Sequence, residues 1–347
     1  MKKELELLKK MIATPSFSGE EEGTAQLIED YLREHGVVFN RRNNNVWAVN
    51  RYFDEQKPTI LLNSHHDTVK PNKAYTLDPF TPVEKDGKLY GLGSNDAGAS
   101  VVSLLHTFVH FYNRKDLKYN FVIAITGEEE SSGPNGLNSL IKVLPEIDFA
   151  IVGEPTGMHL AIAEKGLLVL DVVAEGVSGH AAHENTVNPI YLAMDDIFWI
   201  RNYEFPKVSK TLGKVKMSVT QINAGTQHNV VPAECHFVVD IRVTDQYTNR
   251  EILDYVTEHL NSKVKARSTN LNSSSISEDH PVVQAGVKLG RKTYGSPTLS
   301  DQAVLSCPSL KMGPGESPRS HQADEFIYLS ELEEGMELYK KILETIV

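Results

Sequence analysis

The chain has 347 residues, 40% of them hydrophobic and 23% charged, an ordinary globular balance at a length that suggests two domains. Its 35 basic against 46 acidic residues leave a formal net charge of −11, a field that repels nucleic acid and anionic membrane surfaces, so neither is expected as a partner. The two cysteines, Cys235 and Cys307, lie far apart, which excludes a disulfide framework and fits a reducing cytosol. The start, MKKELELLKKMI, alternates charged and apolar residues as an amphipathic helix does, whereas a signal peptide needs an uninterrupted apolar stretch. No apolar run approaches the ~20 residues that span a bilayer. A soluble, cytoplasmic protein is expected.

In chain order, residues 3–12 are helical by period, and Ser18 followed by Glu20 and Glu21 reads as a second helix start, running to about His35 with Gly36 as its stop. Short apolar runs at Val46–Val49, Thr59–Leu62, Phe121–Ile125 and Asp148–Val152 read as buried strands, with a long helix over roughly Ala97–Phe111 between them. Unbroken apolar strands separated by helices predict an α/β domain with a mostly parallel sheet covered on both faces. Such sheets carry their chemistry in loops at the carboxyl ends of the strands. The character changes near Gly166. A strand at Leu167–Ala174, a helix at Pro189–Ile200, strands at Val215–Ile222 and Ala233–Val243, a helix at Asn249–Leu260 and a strand near Val264 follow in the order of a ferredoxin-like α+β unit. The polar stretch Asn270–Ser277 reads as a return linker, after which alternation resumes at Pro281 and closes with a helix at about Ser330–Ile346. The expected organisation is a larger domain of residues 1–166 and 278–347 with residues 167–277 inserted.

Five motifs supply hard or borderline metal ligands. Ser64-His65-His66-Asp67 follows a predicted strand; residues two apart in extended chain share a side, so His65 and Asp67 can reach one object while His66 points away. A ligating imidazole commonly donates its other N–H to a carboxylate, which makes His65 the ligand and Asp67 its orienting partner. By itself this pattern is that of any surface histidine near an aspartate. Asp96, in Gly91-Leu92-Gly93-Ser94-Asn95-Asp96, opens the long helix and alone would read as a cap. Gly127-Glu128-Glu129-Glu130 follows a buried strand, as does Gly153-Glu154-Pro155-Thr156, and His321 stands in the loop Gly313–Gln322.

Each signal is weak alone, but the five together, in this order and at strand ends, resemble the co-catalytic metallohydrolases of the acetylornithine deacetylase, succinyl-diaminopimelate desuccinylase and carboxypeptidase G family. The stretches GPGESPRSHQADE and Asp240-Ile241-Arg242 look most like the acetylornithine deacetylases within it. The resemblance implies that His65 and Glu154 hold one divalent ion, that Glu130 and His321 hold a second, and that Asp96 bridges them. Glu129 would then be the general base and Asp67 would orient His65. The family begins its acidic triplet with Asp where Glu128 stands here; a slip of one residue would pass the roles of Glu129 and Glu130 to Glu128 and Glu129. Asn95-Asp96-Ala97 also lacks the lysine that relatives often carry after the aspartate. Three ligand carboxylates and a bridging hydroxide balance two M²⁺, and the mixed imidazole and carboxylate set suits zinc, with cobalt or manganese tolerated.

The inserted domain would be a lid and dimerisation element. The resemblance places His180, in Gly179-His180, as an oxyanion donor reaching across from a partner subunit, which implies a homodimer. It makes Arg242 the clamp for a substrate carboxylate, with Asn229 and Lys165 in the same pocket. The expected activity is removal of the acyl group from an N-α-acyl amino acid, with N-acetylornithine in arginine biosynthesis as the leading substrate. N-acetylcitrulline, N-succinyl amino acids and short peptides are the alternatives within the family. Outside that reading stand a non-catalytic homologue that retains the fold and an aminopeptidase acting on free N-termini.

Overall fold

The computed structural model of the chain describes residues 2–347. The chain divides into two compact units, the first made of Met1–Ile162, Ser275–Tyr294 and Ser300–Val347, the second of Ala163–Ser274 and Gly295–Leu299. The first stretch supplies α1 (Lys2–Ile12), α2 (Glu22–Glu34), β1 (Asn45–Val49), β2 (Thr59–His65), α3 (Ala99–Tyr112), β3 (Asn120–Thr126) and β4 (Phe149–Val152). The second unit carries β5 (Gly166–Glu175), α4 (Pro189–Asn202), β6 (Lys216–Ala224), β7 (Glu234–Val243), α5 (Asn249–His259) and β8 (Lys263–Ala266). The chain then returns to the first unit with β9 (Ser309–Lys311) and α6 (Leu329–Glu344).

In the first unit the strand order is β1-β3-β2-β4-β9. The strands β3, β2, β4 and β9 run parallel, while β1 is antiparallel to β3 and Leu160–Glu164 is antiparallel to β9. The sheet is therefore mixed, with a parallel centre and antiparallel flanks, rather than mostly parallel throughout. All seven residues of β2 and of β3 are buried, which explains their unbroken apolar character. The helix α3 is sheathed on nearly every side, packing on β2, β3 and α6, and Phe111 stacks on Phe121 at 4.8 Å between ring centroids. Such closely packed aromatics bury large apolar areas and fix the helix against the sheet.

Two local expectations are corrected. The second helix begins at Glu22, not at Ser18; residues 18–21 form an entry loop whose side chains are used elsewhere. The long helix begins at Ala99, and Asp96 lies before it in a kinked turn, extended at φ −118° and ψ 98°, where it caps nothing.

The second unit is a four-stranded antiparallel sheet in the order β6-β7-β5-β8. Strand, helix, two strands, helix and strand in that spatial order form the ferredoxin-like arrangement. Along β5 burial alternates residue by residue, so one face meets α4 and α5 and the other faces outward. Leu168, Leu170, Val172, Phe237, Val239 and Ile241 form its core with Ile252 and Val256 of α5. Thr248 starts α5 with a reciprocal cap: its hydroxyl accepts from Glu251 N, and the Glu251 carboxylate accepts from Thr248 N. Among the described residues no helix is long and apolar enough to cross a membrane.

Candidate metal centre

Hydrogen bonding along a parallel sheet leaves its carboxyl-end loops free to converge, and here four of them carry the chemistry. His65 is the last residue of β2, Gly127–Glu130 follows β3, Glu154 follows β4, and the segment after β9 leads to His321. Nε2 of His65 lies 3.2 Å from Asp96 Oδ1, 3.7 Å from Glu154 Oε1 and 4.0 Å from Glu129 Oε2. Nε2 of His321 lies 3.0 Å from Glu130 Oε2 and 3.6 Å from Asp96 Oδ2. The two oxygens of Asp96 thus face two different histidines, each accompanied by its own glutamate. One ligand atom from each of His65, Asp96 and Glu130 falls within 4.8 Å of the others.

The surroundings hold these groups in place. Nδ1 of His65 lies 3.1 Å from the main-chain carbonyl of Asp67 and 3.4 Å from its Oδ1. Asp67 therefore orients the ring chiefly through its carbonyl. Its carboxylate instead accepts from Glu129 N and Glu130 N, both at 3.1 Å, and from Ser18 Oγ at 2.7 Å. His66 points away, as expected, between Thr24 Oγ1 at 2.7 Å and the Asn44 carbonyl at 2.9 Å. His321 adopts φ +61°, the left-handed region that non-glycine residues seldom occupy, and its carbonyl accepts from Asn72 Nδ2 at 3.1 Å.

The acidic triplet separates into different environments. Glu130 faces His321, and Glu129 faces His65. Glu128 turns outward at φ +57°, and its carboxylate accepts from Asn135 N and Nδ2, both at 2.9 Å.

Electrostatically the centre is crowded with negative charge. Burial, with Glu154, Asp301 and Glu130 nearby, pushes the Glu129 carboxyl well above its usual range against the pull of His65. Burial and Asp96 likewise push Glu154 up to about 8. Burial alone would depress His65, but Glu129, Asp67, Asp96 and Glu154 around it hold its imidazolium well above the ordinary value. The hydrogen bond to Glu130 raises His321 to about 9. Asp96 is held low: burial opposes its charge, but the hydrogen bonds and charge of His65 and His321 prevail, with Ser320 assisting. Converging carboxylates of this kind in a largely dry cleft call for cations, and two imidazoles with three carboxylates form a donor set that fits divalent ions of the zinc type.

Three buried carboxylates at the centre were not singled out as site residues in the sequence. Asp301 accepts from Thr126 Oγ1 at 2.7 Å, and burial pushes it up to about 6. Glu325, only 2% exposed, accepts from Asn95 N at 2.8 Å, Asp96 N at 2.9 Å and Gly93 N at 3.1 Å, so it grips the turn that presents Asp96. Glu21 accepts from Glu128 N at 3.1 Å. Glu325 closes the stretch GPGESPRSHQADE and could have been noticed there; Asp301 sits in no motif.

The remaining predicted residues belong to the second unit. His180 forms a two-residue strand with Gly179, paired antiparallel to Val230–Val231, and its Nδ1 accepts from Ala182 N at 3.1 Å. The carbonyl of Asn229, in the turn just before Val230–Val231, accepts from Ala181 N at 3.0 Å, so the segments carrying His180 and Asn229 run side by side. Arg242 on β7 pairs with Asp240 through Nε at 2.9 Å and Nη2 at 3.2 Å. Lys165 donates to the Lys214 carbonyl at 2.9 Å, and its ammonium is depressed by burial, Lys216 and Arg242.

Residues 61–345 match the sequence pattern of Peptidase family M20/M25/M40. The chain is 25% identical to succinyl-diaminopimelate desuccinylase 2 of Ruegeria sp. (strain TM1040), over 98% of this chain and 94% of that one. It is 29% identical to acetylornithine deacetylase of Proteus mirabilis (strain HI4320), over 98% and 96%. Its fold superposes with a TM-score of 0.77 on the M20 family metallo-carboxypeptidase Sso-CP2 from Sulfolobus solfataricus, at 17% identity, covering 100% of this chain and 99% of that one. With a match over most of its length and the family's ligand types meeting at the strand ends, the chain belongs to Peptidase family M20/M25/M40 and is a hydrolase.

Proposed function

We propose that the protein is a dinuclear metal-dependent amidohydrolase that removes the acyl group from an N-α-acyl amino acid. The observation that carries this reading is Asp96, whose two oxygens face His65 and His321 separately. His65 with Glu154 would hold one divalent ion, Glu130 with His321 the other, and Asp96 would bridge them. Zinc suits the donors, with cobalt or manganese tolerated. Bound there, the ions would supply an acidified water and a polarised scissile carbonyl.

Glu129 lies beside His65 without being needed as a ligand. Burial raises its proton affinity, so its ionised carboxylate can take a proton from water and then release it to the departing amine. Asp67 holds Glu129 and Glu130 by their main-chain N–H groups, which keeps base and ligand in fixed relation. His180 would donate to the developing oxyanion. Arg242 would bind the substrate's α-carboxylate by exchanging its pairing with Asp240, with Asn229 and Lys165 completing the pocket.

The second unit is proposed as a lid and as a homodimer interface that would bring His180 from the partner subunit. Supporting this, α4 exposes Tyr191, Met194 and Phe198 on one face, with Tyr191 66% and Phe198 69% exposed, and β6 is an edge strand with unpaired backbone groups. Cytoplasmic arginine biosynthesis, with N-acetylornithine as substrate, is the leading assignment. A desuccinylase is the second reading, because succinyl-diaminopimelate desuccinylases are relatives of comparable similarity. The test is a rate assay on metal-replete protein with N-acetylornithine, N-acetylcitrulline and N-succinyl-diaminopimelate, following release of free amine. Glu129→Gln should lower kcat by roughly 10²–10⁴-fold while metal content stays unchanged. Turnover insensitive to both chelator and this substitution would overturn the reading.

A further inference from the structure

Three identical side chains in a row, Glu128, Glu129 and Glu130, point to three different environments, so the backbone rather than side-chain chemistry must assign their roles. Four successive main-chain N–H groups in this loop are each held by a side chain from elsewhere. Gly127 N donates to Asn45 Oδ1 at 3.0 Å, Glu128 N to Glu21 Oε1 at 3.1 Å, and Glu129 N and Glu130 N to the two oxygens of Asp67. Of these anchors, only Glu21 holds Glu128, the residue with the left-handed backbone that turns one glutamate outward and the next two inward.

Glu21 is built for this task. It is 1% exposed, its Oε1 also accepts from Gly19 N at 2.6 Å, and its Oε2 accepts from Asn44 Nδ2 at 2.7 Å. It stands at the start of α2, where a carboxylate ordinarily caps its own helix, yet it makes no capping bond there. The carboxylate instead crosses to the acidic loop. Gly127 leaves room for it: a Cβ at that position would lie 2.9 Å from Glu21 Cδ, and its three nearest neighbours would all be Glu21 atoms.

We propose that Glu21 is a positioning residue that fixes the register of the acidic loop, so that Glu129 becomes the base and Glu130 the ligand. This rests on the roles proposed above for those two residues. Without the Glu21 anchor, the N–H of Glu128 loses its partner and the loop can relax out of the left-handed turn, moving Glu130 away from His321.

The experiment uses the full chain as wild type, Glu21→Ala, Glu21→Gln and Gly127→Ala. Calorimetric Zn²⁺ titration, kcat and KM are measured on the folded fraction of each. Glu21→Ala should weaken one of the two ions by about 10–100-fold and lower kcat by a similar factor, with KM nearly unchanged. Glu21→Gln, which keeps an accepting oxygen, should recover most of both losses. Gly127→Ala should mimic Glu21→Ala and add nothing to it in the double variant. Wild-type affinity and kcat in folded Glu21→Ala, or additive losses in the double variant, would overturn the proposal. If the wild type binds two ions but hydrolyses none of the substrates, the functional reading fails and the titration still decides the role of Glu21. If the wild type binds none, both fall.

Discussion

Chelated free of divalent ions, the protein should lose stability as the pH rises from about 5.5 to about 7.5. Glu154 and Glu325 each rise from an ordinary value of 4.5 to about 8, both through burial and the negative charge of Asp96. Across that window each holds a proton in the folded state and has lost it in the unfolded chain. The folded state therefore binds more protons, and stability falls by about 1.4 kcal/mol per pH unit for each such group. Two independent groups over two units would give about 5 kcal/mol; halving this for their mutual interaction leaves roughly 2–3 kcal/mol. His65 and His321, whose folded values are raised, act with the same sign, because their contribution is also lost as pH rises. Asp67, Asp96 and Glu4 are lowered, so their contributions vary only at more acidic pH, while His66 and His280, depressed by burial, oppose part of the fall as the unfolded chain gives up their protons. At about 2–4 °C per kcal/mol for a domain of this size, the melting midpoint should drop by roughly 5–10 °C. Thermal scans in chelator at three pH values measure it. Saturating Zn²⁺ should reverse the slope, since ions would replace the protons on Glu154, His65 and His321 and binding would release them. A midpoint that is flat or rising in chelator would refute the reasoning, as would the same fall with metal present.

Two further outcomes follow from the structure. Glu325→Gln keeps the volume but turns one accepting oxygen into a donor facing a main-chain N–H, so it should cost about 1–3 kcal/mol in denaturant unfolding and weaken metal binding; unchanged values for both would show that the turn carrying Asp96 holds itself. Phe198→Glu places a charge on the exposed face of α4 and should convert a dimer to monomer in sedimentation without lowering the melting midpoint by more than about 0.5 kcal/mol equivalent; a wild-type monomer would remove the basis for His180 acting across subunits.

Much of the candidate centre was legible because five motifs, each weak alone, together resemble those of a metallohydrolase family and fall where a parallel sheet gathers its loops. His65 ends a buried apolar strand, Glu154 and the acidic loop each follow one, and short unbroken apolar runs bounded by turn residues point to such strands. The ferredoxin-like arrangement of the second unit was read from the succession of its elements along the chain, strand, helix, two strands, helix and strand. What escaped were contacts between segments remote in the chain. The Ser18–Glu21 stretch has the composition of a helix start, and only the folded chain shows Ser18 bonded to Asp67 and Glu21 to the acidic loop, 49 and 107 residues away. Asp96 reads as a cap until the turn before α3 is seen to be gripped by Glu325, 229 residues on. The antiparallel flank β1 was found as a strand, but its direction is fixed by pairing with β3, which no local pattern encodes.

The position of β9 bears on how the protein is made. This strand pairs with β4 on one side and Leu160–Glu164 on the other, so the first unit's sheet is completed from its interior by residues synthesised after the whole four-stranded sheet of the second unit. During vectorial synthesis the inserted unit can fold while its host still has an open seam between β4 and Leu160–Glu164. His321 and Glu325 emerge later still. The nascent chain consequently cannot bring the residues of the candidate centre together until translation has passed them, well after the inserted unit has been made.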